Sequence, residues 1–210
     1  MTVGEFQSAV QSLYRGAGST PVSGDASWMH RLGILKSAIN IWDNQSEFWN
    51  ELWVETTDTA DGGTTYDLPS DFRALGSFVK VSDKFFSVKR PQEIDLYTET
   101  DDVVFVTGNK SSGFVLNFLY APTSGDTIEY SYYKEPDTPT TDADILEMSD
   151  PYFAVFFCLG KLHEQEGAGD RARASFSIAD EKLAQMILRN NLLPSLQDNR
   201  PASGFWGMGL

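Results

Sequence analysis

Apolar residues recur at intervals of three and four near the start of the chain, which predicts two helices. The first helix follows Thr2, which forms a T-x-x-E capping box with Glu5, and Gly16 ends it. The second helix begins near Asp25, a residue type that caps helix N-termini. Its apolar stripe predicts a face that lines a core and a helix that continues to the end of the stripe: Trp28, Leu32, Leu35, Ile39, Trp42, Trp49 and Leu52 or Trp53.

A second helical region follows residue 150. Asp150-Pro151 supplies an N-cap and a proline suited to a helix start. The helix that follows is apolar on almost every side, which predicts that it is the buried centre of a bundle. A fourth helix runs from about Asp170 to the Leu193-Pro194 step. Because neither helical region can bury its apolar face alone, we expect the two regions to pack together in a bundle of about four helices.

The middle of the chain alternates apolar and polar residues with a period of two, which is typical of strands. Turn-forming residues separate the runs, and Pro69 excludes a helix or a central strand where the block begins. The pattern predicts a small antiparallel β lobe inserted in the helical bundle. The candidate strands are Ser77–Asp83, Phe85–Lys89, Val103–Thr107, Phe114–Tyr120 and Ile128–Tyr133.

The sequence therefore predicts an α+β fold, with the β lobe interrupting the bundle and an extended C-terminal tail. We place the N-terminal helices of the bundle in residues 1–60, the β lobe in 61–140, the C-terminal helices in 141–192 and the tail in 193–210.

The tail combines helix-breaking residues with an apolar end. Its prolines and glycines predict a flexible segment, and its terminal aromatic cluster predicts that something covers it. One interpretation is that the tail folds back on its own bundle. The other is that it docks into a partner, with these residues as anchors: Arg200, Phe205, Trp206, Met208 and Leu210.

Charge is distributed unevenly along the chain, whose net charge is −14. Residues 91–150 hold 13 acidic and 2 basic residues, whereas residues 61–90 are slightly basic. The acidic part is either a solvated face or a surface that repels a polyanion, and it disfavours DNA capture through a basic patch. Acid-to-base contacts between neighbouring copies would use the following candidate residues: Lys84, Lys89, Arg90, Asp101 and Asp102.

The motifs of the common enzyme and metal sites are missing from the sequence. The single cysteine, Cys158, lies in an apolar run and is interpreted as a buried filler. His163-Glu164 lacks the second histidine of a zinc-binding H-E-x-x-H motif, and no EF-hand, phosphate-binding loop or nucleophile elbow is present. We expect no enzyme, no metal and no cofactor. With no signal peptide and no long apolar run, we expect a soluble chain made in a reducing cytoplasm.

Several stretches, taken in order, resemble the head-to-tail adaptor (connector) proteins of tailed bacteriophages. They are the tryptophan-rich helix Trp28–Trp53, the stretch Tyr66–Leu75, the stretch Ile128–Pro136 and the Asp150-Pro151-Tyr152 helix start. The resemblance covers about residues 25–192 and is one of layout and short phrases. Podovirus-type tubular adaptors, which carry a β lobe on a helical bundle, look closest.

The resemblance implies a structural protein of the virion neck. It implies a homo-oligomeric ring, a dodecamer, that joins the portal protein to a tail or nozzle protein. DNA would pass through the ring without specific binding, and no membrane would be involved. The chain would be made in the host cytoplasm, and the family supplies no catalytic residues.

Three alternatives stay open at this point. A soluble binding module would use exposed aromatic residues of the β lobe, for example for carbohydrate. Another virion tail component would share the layout. A small hydrolase would use Asp101 and Asp102 as an acid–base pair.

Overall fold

The computed structural model describes residues 1–16 and 18–192. These residues form four α-helices, one seven-stranded sheet and two 3-10 helices, Asn50–Leu52 and Pro91–Leu96. The helices are α1 (Val3–Arg15), α2 (Ala26–Asp43), α3 (Tyr152–Gln165) and α4 (Gly169–Leu192). The strands are β1 (Trp53–Thr59), β2 (Thr65–Asp67), β3 (Phe72–Val81), β4 (Lys84–Lys89), β5 (Val103–Asn109), β6 (Gly113–Phe118) and β7 (Thr127–Lys134).

The chain divides into two compact units. The helical unit consists of Met1–Glu51 and the described part of Pro136–Leu193, and the β unit is built on Leu52–Glu135. The predicted mixed α and β composition is therefore confirmed.

Helix α3 is the centre of the helical unit, because α1, α2 and α4 all pack against it. Its Phe153 is only 1% exposed, and its Cys158 is fully buried, as the sequence indicated. The helix is less completely covered than predicted, since Phe156 and Phe157 are half-buried. Helix α4 packs chiefly on α3 through a narrow seam, so the predicted four-helix bundle is only partly matched. The buried seam residues of α4 recur every seventh position: Ala172, Ala179 and Met186.

The predicted helix starts are observed with different degrees of side-chain capping. The hydroxyl of Thr2 accepts from the Glu5 backbone N–H at 3.1 Å, and Glu5 Oε2 accepts from the Thr2 N–H at 2.8 Å, which completes the capping box. Asp25 occupies the N-cap position of α2, but its carboxylate accepts from the Val22 N–H instead. Helix α3 begins one residue later than predicted, with Pro151 rather than Asp150 at its N-cap position. The Asp150 carboxylate accepts from the Tyr152 N–H at 3.1 Å and also binds Lys182 Nζ of α4 at 2.9 Å.

The prediction that the second helix continues to Trp53 is wrong. Helix α2 ends at Asp43, because the amide of Asn44 donates to the Asn40 carbonyl and a turn follows. Trp49 still covers the core without being helical: it stacks on Trp42 with ring centroids 5.0 Å apart and donates to the Trp42 carbonyl. Trp53 starts strand β1.

The sheet is larger than predicted and not wholly antiparallel. Its strand order is β1-β7-β3-β4-β5-β6-β2, and β4 pairs with β5 in parallel while every other pair is antiparallel. Strands β1 and β2 were not predicted. Both are edge strands: β1 has no buried residue and alternates weakly, and β2 is only three residues long, too short to show a period.

Aromatic side chains form much of the core of the β unit. Phe72 packs against Phe114 and Tyr132, and Phe86 meets Phe118 edge-on with centroids 5.2 Å apart. Such ring pairs add directional stabilisation to the area that they bury.

The segment that returns to the helical unit is held against the N-terminal helices. The Val3 and Gly4 N–H groups donate to the carbonyls of Asp144 and Asp142, and Trp28 Nε1 donates to Asp142 Oδ1 at 2.7 Å. The Asp144 carboxylate accepts from the Thr140 and Thr141 backbone N–H groups, which lowers its pKa to about 2. Several carboxylates of the acidic region are therefore structural groups.

A matched pair of glycine substitutions tests the packing of α3. A Cβ at Gly160 would lie 2.5 Å from the Phe176 ring of α4, whereas a Cβ at Gly33 of α2 would meet no atom within 4 Å. We expect Gly160→Ala to lower the free energy of unfolding by about 1–3 kcal/mol through overpacking. Gly33→Ala should raise it by about 0.5–1 kcal/mol through helix propensity. Denaturant unfolding followed by circular dichroism measures both; equal effects of the two substitutions would contradict the close approach.

Candidate interface on the β unit

The predicted inter-subunit residues all lie around one crossover of the sheet. Parallel strands need a crossover connection, and here residues 90–102 carry the chain from β4 to β5. Lys84 and Lys89 are the ends of β4, Arg90 begins the crossover, and Asp101 and Asp102 finish it. Strand β4 and the crossover that follows it therefore carry both basic and acidic side chains.

Lys84 and Asp102 bind each other within the chain. Lys84 Nζ lies 2.6 Å from Asp102 Oδ1 and donates to the hydroxyl of Tyr120 at 2.8 Å, and that hydroxyl donates to Asp102 at 2.7 Å. The hydrogen bond from Lys84 lowers the pKa of Asp102, and the hydrogen bond to Asp102 raises the pKa of Lys84. This cluster ties the start of β4 to the start of β5 and to the residues after β6.

The other three predicted residues differ in their surroundings. Lys89 Nζ lies over the Tyr97 ring at 5.8 Å, and Asp101 Oδ2 accepts from the Thr98 N–H and hydroxyl. Arg90 is exposed. Their contact with a neighbouring copy stays a prediction, and Arg90 is the most accessible candidate for it.

The surroundings of Asp102 do not favour the general-acid role that the hydrolase alternative would require of one member of the pair. Asp101 holds a turn, and Asp102 is paired with a lysine that favours its ionised form. A general acid requires the opposite, a carboxyl whose pKa is raised.

The crossover also carries acidic side chains that form no ion pair within the described residues, on both sides of an exposed leucine. Residues 91–102 contain five acidic residues and no basic residue. Among the described residues, Glu93, Asp95 and Glu99 make no ion pair, and Leu96 between them is 78% exposed. We call residues 93–99 the acidic segment.

An exposed aromatic pair lies on the adjacent strands. Phe78 of β3 and Phe85 of β4 meet edge-on with centroids 5.3 Å apart and are 44% and 58% exposed. The sequence pattern predicted that both lie in strands but not that they are exposed. Their neighbours could have indicated it: adjacent residues of a strand face opposite sides of the sheet, so Phe78 lies on the face opposite the buried Val79.

The remaining predicted site lies outside the described residues, because the tail residues Arg200, Phe205, Trp206, Met208 and Leu210 all follow residue 192. Within residues 1–16 and 18–192, no three His, Cys, Asp or Glu side chains are grouped to hold a metal ion. Burial raises the pKa of the Cys158 thiol to about 12.

Comparison with known families decides the class of protein. A model of the SU10 adaptor protein family matches residues 1–202. The chain belongs to this family. No curated protein matches the sequence.

The SU10 adaptors are a family of phage head-to-tail adaptors, so the resemblance found in the sequence is confirmed at that level. Membership implies a place at the virion neck and contact with portal and tail proteins in general. It also favours a structural role over catalysis. Among the described residues, no helix has the length and apolar character needed to cross a membrane.

The Lys84 cluster makes a testable prediction about ionisation. Lys84→Met should raise the pKa of Asp102 toward the ordinary aspartate value, because the donor that favours the carboxylate is lost. Since the pKa of Asp102 is lowered in the folded chain, its contribution to stability is present above the unfolded pKa and is lost as pH falls through the folded pKa. Carboxyl NMR titration measures the shift. Lys80→Met removes an exposed pair with Glu129 and serves as the control, which should leave Asp102 unchanged.

Proposed function

We propose that this adaptor forms a closed ring of twelve copies between the portal and the tail, of the tubular kind found in podoviruses, and that DNA leaves the head through it. The observation that carries the proposal is the match of the SU10 adaptor family across residues 1–202. The division into a helical unit and a β unit supports it, because a ring protomer needs more than one surface for its neighbours and partners.

The distribution of charge supports passage of DNA without binding. At least seven of the fifteen lysine and arginine side chains in the described residues form an ion pair with an acidic side chain of the same chain, as in Lys80–Glu129, Lys110–Glu135 and Lys182–Asp150. Phosphate binding needs clustered, available Lys and Arg. A channel surface with surplus carboxylates and ion-paired cations would let DNA pass without holding its phosphates.

The C-terminal tail is the proposed docking element for the portal. The apolar and aromatic residues Phe205, Trp206, Met208 and Leu210 are the types that dominate binding hot spots, and Arg200 adds a charge for an acidic rim.

Ring formation is tested on the full chain alone and with portal-bearing heads. We expect two-dimensional class averages in electron microscopy to show rings with twelve-fold symmetry in at least one of these contexts. Mass photometry supplies the copy number against a protomer mass of 23.4 kDa. Monomers in both contexts would refute the proposal.

The docking role of the tail is tested by deleting residues 200–210. We expect the melting temperature of the monomer to change little and attachment to filled heads to be lost, because the aromatic anchors are removed. A co-sedimentation assay measures attachment, and a deletion of Leu210 alone is the milder control. A large loss of monomer stability with attachment intact would contradict the docking role.

A further inference from the structure

A polar cleft lies in the helical unit between the end of α1, the loop before α2 and the first turns of α2. Its volume is about 720 Å³, and Arg15, Asp25 and Arg31 are its charged lining residues. Pro21, Val22 and Leu162 add an apolar part. The cleft therefore offers both charge and apolar surface to a ligand.

Arg31 is the unusual residue of this cleft, because it is a buried cation with no acidic partner in the part of the chain that the structure describes. Its side chain is 5% exposed, and no carboxylate among the described residues forms an ion pair with it. Its guanidinium donates to Gln11 Oε1 at 2.7 Å and, at 3.4 Å, to the Gln7 carbonyl, both neutral acceptors. Buried charges are normally paired, so the site is electrostatically incomplete.

The balance of charge in the cleft favours an anion. Two arginines face one aspartate there, in a chain whose net charge is −14. Glu166 only partly neutralises Arg15, since the two groups are 3.7 Å apart and both are largely exposed. Burial is the main cause that lowers the pKa of Arg31, and the charge of the nearby Arg15 acts in the same direction.

The acidic segment of the β unit has the complementary properties. Asp95 and Glu99 are exposed carboxylates without an ion pair among the described residues, and Leu96 is the most exposed large apolar side chain in that part of the chain. A guanidinium binds a carboxylate with paired hydrogen bonds, and the apolar part of the cleft suits a leucine.

We propose that the cleft of one copy binds the acidic segment, residues 93–99, of a second copy. This inference rests on the proposed ring, in which every copy would present both surfaces. The contact joins two different surfaces and is therefore heterologous, the type that closes into a ring when the rotation fits. It assigns to Arg31 an anionic partner that the described residues of its own copy do not provide.

Disulfide trapping tests the contact in the full chain. Val22→Cys and Leu96→Cys together should give, on oxidation of assembled rings, a ladder of covalently linked copies on a non-reducing gel. Either substitution alone should give at most dimers. The native Cys158 stays in place, because its thiol is buried and its pKa is raised. Val22→Cys with Phe85→Cys is the matched control, since Phe85 is an exposed apolar residue of the same unit outside the acidic segment, and it should give no ladder.

Exchanging charges between the acidic segment and the cleft tests the same contact independently. Asp95→Lys with Glu99→Lys should weaken association between copies about tenfold or more, and adding Arg15→Glu should restore most of it. Asp83→Lys, an exposed acid on the turn between β3 and β4, is the control and should have no effect.

The outcomes separate this inference from the ring itself. Rings without a ladder, or a ladder in the Phe85 control as well, would overturn the inference and leave the proposed function standing. Rings that survive Arg15→Glu while attachment to heads is lost would place the occupant on the portal and also overturn it. An absence of rings in every context would refute both.

Discussion

The burial of α3 is the constraint on which the helical unit depends. Helices α1, α2 and α4 each cover part of α3, and the absence of a side chain at Gly160 lets the Phe176 ring approach its backbone. The two halves of the unit are far apart in sequence, so their contact is maintained by packing rather than by local propensity. The Asp150 carboxylate reinforces it, because it accepts from the backbone N–H of Tyr152 at the start of α3 and binds Lys182 of α4.

Local signals in the sequence were sufficient for elements that local chemistry determines. The Thr2–Glu5 box and the proline after Asp150 predicted helix starts close to the observed ones. The end of α2 was missed because Trp49 continues the helical spacing, although it lies in an irregular segment from which its ring reaches the core. Strand β1 was missed for a related reason: an edge strand with exposed residues shows little alternation, and only its pairing with β7 defines it.

At the candidate interface, too, contacts between residues far apart in the sequence could not be predicted. The uneven distribution of charge along the sequence predicted the candidate residues, but it could not indicate which of them bind each other within the chain. Lys84 and Asp102 are distant in sequence and meet only because β4 and β5 are parallel neighbours. The unpaired Arg31 gave no sequence signal either, since an arginine beside an apolar stripe usually extends into solvent.

The discontinuity of the helical unit has a consequence for synthesis on the ribosome. All strands of the β unit lie between residues 53 and 134, so this unit can finish folding while the last helices are still being made. The core around α3 cannot close until Met186, the last buried residue of α4, has left the ribosome. Until then α1 and α2 lack the helix that packs against both of them. The order of translation therefore makes the N-terminal helices, rather than the sheet, the part of the nascent chain that most needs protection by chaperones.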